Sequence, residues 1–313
     1  KRMNRKGLCC IHVGLQKSGS KFQTMTWSRF SQIGRTAALP ILAERYKNNL
    51  SIILKILHCC AQKGWCYRVS SDIFPLMTHP EANLKWEDIP NHDELTRLFL
   101  SCAKEIYTNN IRVSCHPDQF NVLASLNDKS VAQTITELNH HGWFMERLDS
   151  TGYHSPINIH LNCSSGDPKE IAKRFKDGLD RLDKHTKPRL VIENEDKGIW
   201  NVRNLIEHIH ELTGVPITFD YLHHKCNDGG LTEKEAFELC IQTWGKTRPL
   251  FHFSESLPGQ KNLRKHADYP TYVPDTYGYE IDLDYEFKQK DLALERAEKI
   301  AQNLAGEELQ AKL

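Results

Sequence analysis

IRVSCHPDQF, residues 111 to 120, opens as a short apolar strand, ends on His116 and is stopped by Pro117, leaving Gln119 and Phe120 in a polar loop. A β-rich run this short, closed by proline, reads as a strand rather than a helix. The arrangement recurs along the chain. Further runs of the kind are GLCCIHV (7 to 13), CYRVS (66 to 70), INIHL (157 to 161), RLVIEN (189 to 194), PITFD (216 to 220), PLFHFS (249 to 254) and EIDLDYE (280 to 286). The longer stretches between them, such as LAERYKNNLSIILKILHCCAQKG and VAQTITELNHHGWFMERLDSTG, place apolar residues three and four apart and end at glycine, as amphipathic helices do. Strands alternating with such helices form parallel sheets. Eight β-then-α units in 313 residues therefore predict one domain over residues 1–313, a single (β/α)8 TIM barrel with a long basic first βα loop at about 14–40.

In such a barrel the chemistry collects at the carboxyl ends of the strands, where the following loops converge. Those ends carry His116, His160, Glu193, Asp220 followed by His223, His252 and Glu286, and the loops after the second and seventh strands add His79 and His266. One strand histidine is ordinarily structural; nine metal-competent side chains on one rim are not so readily explained. A carboxylate ending RLVIEN or PITFD is costly to bury alone, and a shared cation is the partner that imidazoles and acids around one mouth would take. Mixed nitrogen and oxygen ligands suit Mn, Zn, Fe or Co better than Ca or Mg. A multi-metal site of two or three divalent ions is expected, with Glu193 bridging. His58, His140, His141, His185, His208 and His210 read as structural, and His224 as a neighbour of the site rather than a ligand.

Bulk composition limits the partners. A net charge of +1 argues against a uniformly basic nucleic-acid binder, but Lys1, Arg2, Arg5, Lys6, Lys17, Lys21, Arg29 and Arg35 precede the first acidic residue and are interleaved with Phe22, Trp27 and Phe30. That mixture points to phosphate contact. No apolar run approaches the roughly 20 residues of a membrane span, and no secretory signal pattern opens the chain, so a soluble protein is expected. The 10 cysteines form no CxxC pair and read as reduced core thiols of a cytosolic or nuclear compartment. The numbering opens on Lys1 rather than methionine, which suggests a trimmed product.

Paired divalent ions suit in-line displacement at phosphorus. A sugar isomerase of the same architecture would also hold two metals, yet a basic, aromatic first segment would be idle beside a small polyol. Gln119 and Phe120, projecting next to the metals, suit insertion into a base stack.

The segments RVSSDIFPLMTHP, RVSCHPDQFNVLAS, INIHLN, LVIENED, VPITFDYLHHK, TWGKTRPLFHFSES, KHADY and EIDLDYEFKQKD, in that order over about residues 66 to 295, resemble the ultraviolet damage endonucleases (UVDE). These are DNA repair enzymes on a metal-bearing TIM barrel like that of endonuclease IV. The resemblance implies incision of damaged double-stranded DNA immediately 5′ of cyclobutane pyrimidine dimers and 6-4 photoproducts, with manganese the usual metal and Zn2+, Co2+ or Mg2+ alternatives. It implies metal ligation by His79, His116, His160, Glu193, Asp220, His223, His252, His266 and Glu286, and damage probing by Gln119 and Phe120, where the family's tyrosine has become phenylalanine.

Two departures stand out. Leu250 replaces a lysine that is carboxylated near the metals in some members, so a third ion would be held weakly, by Asp268, or not at all. The first strand departs from a frequent tyrosine-containing pattern, and His12 becomes a candidate extra contact. Lys197 and Lys288 are expected to join Glu193 as catalytic residues by neutralising the scissile phosphate. Lys17, Lys21, Arg29, Arg35, Lys261, Arg264 and Lys265 are expected along a DNA groove. The alternatives are an abasic-site endonuclease of the endonuclease IV type and a damage-binding barrel without turnover. A monomer in the nucleoid or the nucleus, away from membranes, completes the expectation.

Overall fold

The computed structural model describes residues 4–149 and 152–313, so Lys1 and Arg2 of the basic run lie outside the described residues. The strands are β1 (Lys6–Cys9), β2 (Cys66–Val69), β3 (Val113–Cys115), β4 (Ile157–Ile159), β5 (Leu190–Glu193), β6 (Ile217–Thr218), β7 (Leu250–Phe253) and β8 (Asp282–Tyr285). They pair in parallel from β1 through β6, and β8 joins β7 to β1. Only an isolated bridge between Asp220 and His252 closes the remaining seam, where the His252 N–H donates to the Phe219 carbonyl at 3.0 Å. The result is the nearly closed α/β TIM barrel that the alternation predicts.

Each strand is shorter than its apolar run. β1 stops at Cys9 because Cys10 turns into the left-handed region (φ 69°). His12, expected within that strand, lies beyond the turn and caps the helix Val13–Lys17, its Nδ1 accepting the Leu15 N–H at 3.1 Å. That contact accounts for His12 as a cap.

The first connection also differs from the expected loop at 14–40, because the helices Val13–Lys17 and Trp27–Ile33 and the start of Arg35–Lys63 occupy most of it. Thr26 begins the second of these by accepting the Arg29 N–H at 3.1 Å, and buried Phe30 holds it to the core. The aromatics of the segment are spent on packing, since Trp27 stacks on both Phe30 and His79. Arg35 is engaged as well, with the Ala82 carbonyl at 2.6 Å and Asp88 at 3.1 Å, whereas Lys17, Lys21 and Arg29 are exposed.

An ionic plug fills the floor of the barrel. Buried Arg112 donates to Asp282 at 3.2 Å and to the His154 carbonyl at 2.7 Å, and Arg5 and Arg248 reach the same carboxylate at 3.3 and 3.0 Å. Three guanidinium groups keep Asp282 ionised against its burial. Charge balance at this end serves stability, leaving the opposite mouth for chemistry.

The C-terminal helix Asp291–Ala311 ties the first connection down, because the Asp291 carboxylate accepts the Val13 and Gly14 N–H groups at 2.6 and 3.2 Å. Asp291→Ala is expected to cost about 1–2 kcal/mol, the usual value of a lost helix cap. Urea unfolding measures it, and an unchanged midpoint would show that the tie is idle. All ten cysteines are free thiols, and no helix of the described residues is long and apolar enough to cross a membrane.

Candidate metal centre

Most of the polar side chains at the mouth come from within the strands or just past their ends, where inward and outward residues alternate. Glu193 closes β5 and is 1% exposed. Its Oε1 lies 3.3 Å from His116 Nε2, 3.0 Å from His160 Nε2 and 3.2 Å from His252 Nδ1, and Asn158 donates to it at 2.7 Å. His116 and His160 stand just past β3 and β4, as the strand ends predict, while His252 sits inside β7.

Asp220 caps the helix Tyr221–Cys226 by accepting the His223 N–H at 2.8 Å. The cap brings His223 Nδ1 to 3.1 Å from Glu193 Oε2 and 3.6 Å from Asp220 Oδ2. Glu286, just past β8, lies 3.7 Å from His252 Nδ1 through Oε1, and its Oε2 accepts Arg68 Nη1 at 2.9 Å. Two groupings of ligand atoms result, each within 4.8 Å: His116, His160 and Glu193, and Glu193, Asp220, His252 and Glu286. Glu193 belongs to both.

The donor set fits divalent ions. Asp220 Oδ2 and His252 Nδ1 are buried without a hydrogen-bond partner among the described residues, which is costly unless something else occupies them. His116 Nδ1 sits 3.0 Å from the Pro117 carbonyl, a contact that places the proton there and turns the Nε2 lone pair toward Glu193. The charges point the same way. Burial alone would raise the Glu193 carboxyl, but His252, His160 and His116 hold it well below the usual carboxylate range. Burial pushes the Asp220 carboxyl well up, with neighbouring Glu193 and Glu286 adding to the rise. Burial works against the His223 and His160 imidazolium ions, yet the carboxylates around them lift both.

Other expected residues are placed differently. His266 is partly buried, bridged to Ser256, and close enough to Glu286 for that carboxylate to oppose the lowering caused by burial. His79 is in neither grouping: its ring stacks on Trp27 at 4.8 Å, and its Nδ1 accepts the Glu81 N–H at 3.2 Å. The loop that carries it is pinned by Phe74, which packs edge-on to Trp86 and Trp143. Asp268, the alternative ligand beside Leu250, is exposed and in neither grouping. His224 packs against Phe219.

Phe120 is 80% exposed on the loop after β3. An Asp118 side chain accepts its N–H at 2.9 Å, and Asn162 donates to the Gln119 carbonyl at 2.9 Å, so the backbone is braced while both side chains project outward. Lys197 and Lys288 are exposed near the rim, and so are Arg264 and Lys265, the former 3.9 Å from Asp196.

Residues 4–310 match the family model of UV-endonuclease UvdE. The chain belongs to that family. A UvdE relative, the UV DNA damage endonuclease of Bacillus cereus (strain Q1), is 31% identical over 288 residues, covering 88% of this chain and 87% of the relative. The crystal structure of SacUVDE superposes with a TM-score of 0.82 at 29% identity, covering 97% of this chain and 99% of that one. Endonuclease IV from Thermus thermophilus superposes at 0.55 with 12% identity, covering 96% and 99%, and so shares the fold. UvdE membership accounts for the eight-stranded barrel.

Arg68, Asn158, Asn194 and Asp284 escaped the reading of strand ends. Asn194 accepts the Asp220 N–H at 2.8 Å and donates to the Asp220 carbonyl at 3.1 Å, locking the two strand ends together. The signal was available in the period of two: in EIDLDYE, Asp282, Asp284 and Glu286 share one face.

Proposed function

We propose that this UvdE chain is a metal-dependent DNA repair endonuclease that hydrolyses the phosphodiester immediately 5′ of ultraviolet photoproducts in double-stranded DNA. The observation that carries the reading is the pair of ligand groupings meeting at Glu193, with an exposed Phe120 on the loop that follows His116. His116, His160, Glu193, Asp220, His223, His252 and Glu286 would hold two or three divalent ions, with His266 and His79 at the edge of the set. Mn2+ is the proposed metal on the resemblance to the family, and mixed imidazole and carboxylate ligands are compatible with it. Such ions activate water for attack and stabilise the leaving oxygen.

The chain supplies the rest. Glu193, gripped by five neighbours, fixes the spacing of the centre. Gln119 and Phe120 enter the stack at the lesion, and Lys17, Lys21, Arg264 and Lys265 take the backbone phosphates. Lys197 and Lys288 offset charge on the scissile phosphate. The protein would act as a monomer in the compartment that holds DNA.

The test uses 5′-labelled duplexes, identical except for one thymine dimer, one abasic site or no lesion, with Mn2+ or with EDTA. Incision just 5′ of the dimer, absent with EDTA, is expected. Cutting confined to the abasic duplex would move the chain to abasic-site chemistry, and binding of the dimer without cleavage would leave it a damage-binding protein.

Metal affinity should depend on pH in a defined sense. Burial disfavours the His252 imidazolium, yet Glu193 and Glu286 raise its pKa from 6.5 to about 9. In the metal-free protein this pairing stabilises fully below 6.5 and is lost as pH rises through about 9. Protons compete with the ion, so apparent Mn2+ affinity should climb over that same window and then level off. Calorimetric titration at several pH values checks this, and a flat profile would remove His252 from the ligands.

A further inference from the structure

We propose that Asp284 is a positioning residue of this centre, holding the His252 ring with its proton on Nε2 so that Nδ1 is free to take an ion. The inference rests on the metal-centre reading given above. Asp284 lies directly across from His252 in the β7–β8 register and across from Gly7 in the β8–β1 register. It is 1% exposed, and neither carboxylate oxygen has a hydrogen-bond partner among the described residues. A carboxylate so placed is costly unless a cationic or N–H group answers it.

Two groups face it. Arg68 Nη1 is 4.0 Å away and His252 Nε2 is 3.8 Å away. Arg68 Nη1 is bonded to Glu286 at 2.9 Å, and the imidazole, nearer and paired with Asp284 across the strands, is the ring Asp284 can direct. On the other edge of the ring, Nδ1 lies 3.2 Å from Glu193 and 3.7 Å from Glu286 yet makes no hydrogen bond, as befits an atom reserved for an ion. His116 follows the same logic with its nitrogens exchanged, since its Nδ1 meets the Pro117 carbonyl and its Nε2 faces Glu193. A carboxylate or carbonyl behind a metal-binding histidine sets its tautomer and raises its basicity.

The opposite strand is built to admit this carboxylate. A Cβ at Gly7 would lie 2.0 Å from Asp284 Oδ1, so only glycine leaves the space. The backbone at Gly7 is ordinary strand; close approach, not conformation, requires glycine there.

The test compares Mn2+ dissociation constants of the wild type and Asp284→Asn, read from the electron paramagnetic resonance signal of free Mn2+. Asp284→Asn should bind Mn2+ about 10- to 100-fold more weakly, while the metal-free protein melts no lower, because an unbonded buried carboxylate does not stabilise the fold. Equal affinities, or a lowered melting temperature with affinity retained, would overturn the proposal. A second measurement needs no folded Asp284 variant: 15N spectra of wild-type protein loaded with 113Cd2+, assigned with His252→Gln. Coupling of cadmium to His252 Nδ1 with a proton on Nε2 is expected, and coupling to Nε2 would overturn the proposal. Wild type that takes up neither ion would instead sink the metal-centre reading itself.

Discussion

Glu193→Gln should lower incision of a dimer-containing duplex roughly a thousandfold or more, about 4 kcal/mol of barrier, since it removes the charge common to both ligand groupings. The substitution keeps size and shape, and Asn158 can still donate to the remaining oxygen, so the barrel should fold. What changes is the field. His160 and His252 lose the carboxylate that favours their charged forms, and any ion loses its shared ligand. Binding of damaged DNA should stay within a few-fold, because phosphate contacts and the exposed loop lie elsewhere. Single-turnover cleavage and a filter-binding assay on one preparation separate the two effects. Normal cutting by Glu193→Gln would refute its place at the centre of the chemistry.

The parts of the site that were readable from sequence share a cause. His116, His160, Glu193, Asp220 and Glu286 stand where a strand ends, and strand ends are marked by a change from apolar to polar residues. Chemistry and local structure coincide there. Arg68, Asn158 and Asp284 sit inside strands, where a polar residue reads as noise until its alternation with apolar neighbours is followed to the same face. The helices at Val13–Lys17 and Trp27–Ile33 were hidden for another reason. They are too short to show a period, and their ends depend on His12 and Thr26 as caps. The surroundings of His79 were not readable from its own motif. Its neighbours in sequence match, but Trp27, which comes from another segment, settles where the ring lies.

Leu250 bears on how many ions the centre holds. It is buried at the start of β7, two residues before His252 and therefore on the same face. An apolar side chain there offers no ligand, and Asp284 stands beside the same histidine on the neighbouring strand.

Phe120→Ala should reduce the preference for damaged over undamaged duplex roughly tenfold to a hundredfold, in line with about 1–3 kcal/mol for a lost base–aromatic stack. The side chain is 80% exposed and packs on nothing that the fold requires, so stability should change by less than about 0.5 kcal/mol. Its backbone is held by Asp118, and the neighbouring Gln119 carbonyl by Asn162, so the alanine variant keeps the loop and deletes only the ring. Phosphodiester chemistry draws on residues of the barrel mouth and should survive on a flexible or mismatched substrate that opens without help. Phe120→Tyr retains the ring and should retain discrimination. The comparison is kcat/KM on dimer-containing against undamaged duplex for all three proteins. A loss in Phe120→Ala that is equal on both substrates would mean the ring supports binding in general, and the recognition of damage would then have to come from the bendability of the duplex across the barrel mouth.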